Sequence, residues 1–195
     1  MGSVVAFFIF IMYLISFQEV LKPTTLKLVK GDVTLIQQTC KSTKYYDLCV
    51  SYLRSDPTSL KADTKGLAVI IVGIGMANAT NTYSYLSSQL LSSANDAATK
   101  KLLKLCSDKY SYAYDSLQAS LRDLGLASFD YASIHLTAAS DYSNACHNAF
   151  RSLSSPPPPP PPALAYPAEL ARREDALKHI CDVALGIIDL LLAQE

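Results

Sequence analysis

Ala132, Leu136, Ala139, Ser143, Cys146, Phe150 and Leu153 follow one another at alternating steps of four and three. An α-helix puts such positions on one face, whereas a strand would scatter them over both. A seam this regular asks for other helices to pack against, and three further runs share its period. Val69, Val72, Met76, Ala79, Tyr83, Leu86 and Leu90 mark a helix over Thr64 to Ser93. Leu102, Cys106, Ala113, Leu117, Leu121 and Leu124 mark another that starts near Asp96, with Gly125 placed to end it as a left-handed glycine. The last begins near Pro167, with Glu169 close to the positive end of its dipole. It carries Leu170, Leu177, Cys181, Ala184, Ile188 and Leu191 against a charged face of Arg172, Arg173, Glu174, Asp175 and Lys178. Four long amphipathic helices and no convincing strand predict an all-α fold, an antiparallel four-helix bundle. Ahead of it, Val33 to Cys40 and Tyr45 to Arg54 read as an N-terminal helical hairpin closed by the turn signal Asp56-Pro57.

The 195 residues suit one domain with a real core. The apolar run from Val4 to Phe17 is too short to span a bilayer and reads as the core of a secretory signal. The expected organisation is a signal and short leader over residues 1–31, cut between Ser16 and Gly31, then one domain over 32–195 with no membrane segment in the mature form. Within it, seven prolines from Pro156 to Pro162 lack backbone donors and favour an extended polyproline loop about 22 Å long, which ends one helix and spans the gap to the next. Acidic and basic residues balance at 17 each. No net field and no basic cluster draws the chain to nucleic acid.

Five cysteines on a secretory route leave one odd thiol and several ways of pairing the rest. Cys106 and Cys146 lie on the core stripes of consecutive antiparallel helices, so a bridge between them would staple the second bundle helix to the third. Cys40 and Cys49 bracket only the turn between the two short helices, and local closure is their natural pairing. Helices that short are marginal alone. Cys181, on a buried stripe, is then the free thiol and reads as inert packing.

Metal sites call for paired Cys-x-x-Cys or His and Cys at helical spacing, and the sequence has none. Cys146 and His147, adjacent in a helix, point about 100° apart and do not form a nucleophile and base. There is no Gly-x-Ser-x-Gly and no His-Glu-x-x-His. Catalytic and metal-binding residues are therefore expected to be absent, and no cofactor is implied.

Several residues together form a recognisable pattern. Cys40 and Cys49 enclose eight residues that include Tyr45-Tyr46-Asp47-Leu48. A long helical pair follows, then Asp130-Tyr131-Ala132-Ser133, Thr137-Ala138-Ala139 and Cys146. This pattern resembles the plant invertase and pectin methylesterase inhibitor family from about Val33 to Leu192. The resemblance implies a four-helix bundle behind a helical hairpin, Cys40–Cys49 and Cys106–Cys146 bridges, and Cys181 free. It also implies stoichiometric binding to a carbohydrate-active enzyme, an acid invertase or a pectin methylesterase, in the cell wall or vacuole. Invertase inhibitors of the family often carry Pro-Lys-Phe at the start of the third bundle helix; here the matching residues are Phe129-Asp130-Tyr131, an acid standing in place of the cation. The segment from Tyr166-Pro167 to Leu192 looks more like fructosidase inhibitors than pectin methylesterase inhibitors. On this resemblance the turn Ser128, Phe129, Asp130 and Tyr131 is the expected target-binding element, beside the hairpin.

Asn78-Ala79-Thr80 is an N-glycosylation sequon inside a helix. Gly73-Ile74-Gly75 reads as close helix packing, and one or more of Tyr110, Tyr112 and Tyr114 as core. His135, His147 and His179 are expected at the surface. A carrier of a small apolar ligand is the rival function, because small stripe residues such as Ala79 and Ala113 leave room between helices.

Overall fold

The computed structural model describes residues 25–153 and 166–194; the apolar run Val4–Phe17 and the prolines Pro156–Pro162 lie outside them. Six helices follow in order: α1 Thr25–Lys41, α2 Tyr46–Ser55, α3 Thr64–Tyr85, α4 Ala97–Gly125, α5 Phe129–Leu153 and α6 Ala168–Leu192. Among the described residues there is no strand. Helices α3, α4, α5 and α6 close a ring in which each packs on the next and α6 returns to α3, the up-and-down bundle that the seam positions require. Helix α1 begins at Thr25 and so reaches back into the segment expected to belong to the leader.

Aspartates set three starts. Asp56 accepts from the Thr58 N–H (2.8 Å) and opens a tight 3-10 turn, Pro57–Lys61. Asp63 accepts from the Gly66 N–H (2.7 Å) at α3, and Asp96 from the Thr99 N–H (2.8 Å) at α4, each satisfying a donor that the helix itself cannot. After Tyr85 the helix widens into one π turn, Leu86–Leu90, before ending at Ser93. The hydroxyls of Ser88, Ser92 and Ser93 donate to carbonyls four residues back (2.6, 2.7 and 2.9 Å). Such bonds compete with the backbone ladder and loosen it.

The core agrees with the seam on α5 and with the stripe on α6, where Leu170, Leu177, Cys181, Ala184 and Ile188 are all fully buried. The expected face of α3 needs correction. Val72, Ala79 and Leu86 of the expected stripe are fully buried and Met76 and Leu90 pack on the core, but Val69 and Tyr83 are 38% and 43% exposed, and Leu67, Ala68, Ile71 and Gly75 complete the inward face. No charged residue occurs from Gly66 to Asn95, so the sequence carries no charged face by which to fix the rotation of this helix. Gly75 is the packing glycine: a Cβ there would meet Ile180 Cγ2 at 3.3 Å and Leu117 at 3.4 Å, whereas Gly73 faces open space.

Glu174, expected on the charged face of α6, is 3% exposed. The Tyr166 hydroxyl donates to its Oε2 (2.9 Å), and His147 Nδ1 lies 3.1 Å from the same oxygen. The His147 and Tyr166 rings stack with centroids 4.4 Å apart, and Phe150 meets Tyr166 edge-on. Burial and the neighbouring Glu174 charge push the Tyr166 and Tyr110 hydroxyls well above the usual tyrosine range.

The hairpin of α1 and α2 leans on α6. A Cβ on Gly186 would lie 3.0 Å from Thr43 Cα and 3.1 Å from the Ser42 carbonyl. Around this notch Lys44 Nζ reaches Asp182 at 3.5 Å, and the Tyr45 ring packs on His179 with centroids 4.3 Å apart. A Gly186→Val substitution forces the turn off the helix and costs about 2 kcal/mol of stability, read by chemical denaturation. Limited proteolysis within α2, accelerated relative to the unmodified protein, locates the damage.

Candidate interaction surface

The turn between α4 and α5 is built from backbone geometry. The Leu126 N–H donates to the Arg122 carbonyl (3.1 Å), Ala127 to Leu124 (3.2 Å) and Ser128 to Asp123 (2.9 Å). This is the Schellman pattern, which needs a left-handed residue just past the helix end. That residue is Ala127, with φ of 55°, and not the expected Gly125, which is still helical. A left-handed alanine costs about 1–2 kcal/mol. Ala127→Gly therefore raises stability by about 0.5–1 kcal/mol after the larger entropy of the unfolded glycine chain is subtracted. A thermal melt checks the sign.

Two contacts brace this turn from behind. His135 Nδ1 lies 2.6 Å from Asp123 Oδ2, and the buried Ser120 hydroxyl donates to the Ala132 carbonyl at 3.1 Å. Both tie the first turns of α5 to the last turns of α4. Of the four residues expected to meet a target, Asp130 and Tyr131 are exposed, the latter by 63%. Phe129 packs against the core and Ser128 is half-buried. Asp130 sits in the first turn of α5, where its charge favours the helix dipole.

Two neighbours went unnoticed in the sequence: Leu126 is 77% exposed and Ile134 59%. The available signal was that Leu126 follows the end of the α4 stripe and Ile134 falls between seam positions. Large apolar side chains left this open are candidates for covering by a partner. The hairpin seat on α6 runs from His179 to Gly186, and the C-terminal half of α6 is antiparallel to the N-terminal half of α5. Hairpin and turn therefore share one end of the bundle.

The other expected residues are placed as follows. Cys40 and Cys49 are bridged with Cα atoms 5.6 Å apart, and Cys106 and Cys146 with Cα atoms 4.8 Å apart. Cys181 is a buried free thiol that burial, with Asp182 beside it, pushes up to about 12, so it stays protonated and unreactive. Asn78 is half-buried on α3 with its Oδ1 covered. The three histidines are not idle surface groups: each has the aromatic or acidic partner named above. Tyr110 is fully buried, Tyr112 is 48% exposed and Tyr114 is half-buried. A groove between α3 and α4, lined by Ala79, Thr80, Tyr83, Tyr110, Ser111 and Tyr114, lies open to solvent. Among the described residues no three His, Cys, Asp or Glu side chains come together as a metal site.

Comparison with known proteins agrees with this architecture. The family model described as plant invertase/pectin methylesterase inhibitor matches residues 34–187. A "Cell wall / vacuolar inhibitor of fructosidase 2" from Arabidopsis thaliana is 47% identical over 169 residues, 87% of this chain and 89% of that protein. "Pectinesterase inhibitor 28" of Oryza sativa subsp. japonica is 39% identical, over 80% of this chain and 69% of its own length. The crystal structure of a mutant form of a pectin methylesterase inhibitor from Arabidopsis superposes with a TM-score of 0.63 over 80% of this chain and 95% of that one; its 21% identity speaks for the fold alone. A disulfide-stapled hairpin and bundle, matched by one family model from the start of the hairpin into the last helix, lead to one conclusion: the chain belongs to the plant invertase/pectin methylesterase inhibitor family.

Proposed function

We propose that this protein is a secreted inhibitor of an acid invertase (β-fructofuranosidase), acting by 1:1 binding and occlusion in the cell wall or vacuole, and that it is not itself an enzyme. The observation that carries this reading is the 47% identity, across 87% of the chain, to a protein named as an inhibitor of fructosidase. The geometry suits the task. The binding end combines the hairpin, clamped by Cys40–Cys49, with the braced α4–α5 turn, so little conformational freedom is lost on docking. Ser128, Phe129, Asp130 and Tyr131 are assigned to this contact, with Phe129 as the anchor and Asp130 and Tyr131 as the contacting groups. No cofactor takes part. Asn78 is the assigned position for a glycan, at the sequon Asn78-Ala79-Thr80.

A second reading, inhibition of a pectin methylesterase, is favoured by one specific observation: Asp130 stands where many invertase inhibitors carry a cation. Purified, oxidised protein mixed in micromolar excess with an acid invertase and, separately, with a pectin methylesterase decides between them across acidic to neutral pH. Saturable, stoichiometric loss of invertase activity is expected. Loss of methylesterase activity alone would replace the first reading by the second, and inhibition of neither would remove both.

A further inference from the structure

We propose that the groove between the N-terminal half of α4 and the C-terminal half of α5 binds an acidic polysaccharide, a chain of uronic acid sugars with free carboxylates, on a lysine-bordered tyrosine platform. This goes beyond the inhibitor reading: the partner is of another kind, and the groove runs toward the end of the bundle opposite the hairpin and the α4–α5 turn. Lys101, Leu105, Lys109 and Tyr112 follow one another along α4 at steps of four, four and three, a single helical stripe. Leu105 and Tyr112 are 39% and 48% exposed. Lys101 and Leu105, with Ala149 and Ser152 of α5, line a groove of about 490 Å³, a size common among small-ligand sites. Further along, Tyr112 and Tyr142 meet across the two helices with ring centroids 5.5 Å apart and planes tilted by 57°. Lys109 Nζ lies 5.6 Å from the centroid of each ring, so the pair holds the cation in place.

Charge and ring chemistry identify the occupant. From Ala97 to Ser111, α4 carries Lys100, Lys101, Lys104 and Lys109 against one acid, Asp108, although the whole chain is neutral. The facing part of α5, Tyr142 to Leu153, adds no acid. None of the four lysines takes part in an ion pair among the described residues, so their charge is free for a ligand. Lys101 and Lys109 stand about 12 Å apart along the helix axis, a distance that a short run of sugars spans. A sugar ring has an apolar C–H face and a polar rim. The free face of Tyr112 accepts the first, and the neighbouring ammonium groups accept carboxylates carried on the second. Repeated carboxylates along an extended chain therefore match lysines spaced along one groove.

The test measures binding of the full oxidised protein to unesterified polygalacturonate by titration calorimetry at low ionic strength. Saturable binding is expected, weakened about tenfold or more in Lys101→Glu/Lys104→Glu, about fivefold in Tyr112→Ala, and progressively by added salt. Fully methyl-esterified polygalacturonate, whose carboxylates are masked, binds about tenfold more weakly or not at all. A Lys61→Glu/Lys65→Glu variant, which has the same net charge but is altered at the other end of the bundle, binds like the unmodified protein, and circular dichroism checks the folding of all three. Absence of binding by the unmodified protein, equal binding of the esterified chain, or an unweakened lysine or tyrosine variant of the groove overturns the proposal. So does a control that falls as far as the groove variants, or an equally tight hold on single-stranded DNA, either of which would mark indiscriminate attraction to polyanions. Inhibition of an enzyme is a separate readout, so the inhibitor reading stands or falls independently.

Discussion

A Cys106→Ala/Cys146→Ala double variant loses about 4 kcal/mol of folding stability, which for a domain of this length lowers Tm by roughly 8–16 °C. The bridge joins α4 to α5 across a separation of 40 residues. Without it the unfolded chain regains the entropy of a long loop while the folded state changes little, since both cysteines are fully buried and alanine removes only the sulfurs. The local bridge behaves differently. Cys40–Cys49 closes a separation of nine residues, so its loss costs roughly 3 kcal/mol and falls on the hairpin, whose second helix, α2, is too short at 10 residues to hold unaided. Denaturant titrations of the two double variants separate these effects. A loss below about 1 kcal/mol for the Cys106 and Cys146 pair would mean that helix packing alone fixes the unfolded ensemble and the bundle.

Glu174→Ala is expected to cost about 2–3 kcal/mol, because removing the buried carboxylate takes the acceptor from two half-buried partners and leaves a gap on α6. Its Oε2 is shared by the Tyr166 hydroxyl and the His147 ring, and the Tyr166 hydroxyl also lies 3.8 Å from the Cys146 sulfur. The damage therefore spreads from α6 to the stapled end of α5. Tyr166→Phe, which keeps the stack on His147 and leaves the carboxylate its second neighbour, should cost less, about 2 kcal/mol. Thermal melts of the two variants at one pH rank them. A Glu174→Ala protein within about 1 kcal/mol of the unmodified one would show that the carboxylate contributes no more than a surface group would.

How much of this was legible in the sequence depended on contrast between helix faces. The seam of α5 and the stripe of α6 could be read because polar residues mark their far sides. Helix α3 could be read only in part, since it lacks charged residues to mark its far side and neighbouring rotations satisfy nearly the same period, so Val69 and Tyr83 were placed inward. Gly125 was a reasonable end for α4, but a Schellman turn counts hydrogen bonds and not residue preferences, and it placed the left-handed position at Ala127. Glu174 looked solvated because its partners lie on α5 and upstream of α6, a relation that exists only after packing. Within the candidate site, Asp130 and Tyr131 were visible as a motif position. Leu126 and Ile134 were not, because the openness of an apolar side chain is set by what the fold leaves uncovered beside it.

Both sulfur bridges lie on the N-terminal side of residue 147, and the one cysteine of α6 is free. The final helix is thus joined to the other three walls of the bundle by the peptide chain and by noncovalent packing alone. A single cut between residues 153 and 166 would yield a two-piece molecule that stays whole in native buffer and comes apart in denaturant even with every bridge intact. Such a cut retires the protein in one step, with no reductant needed.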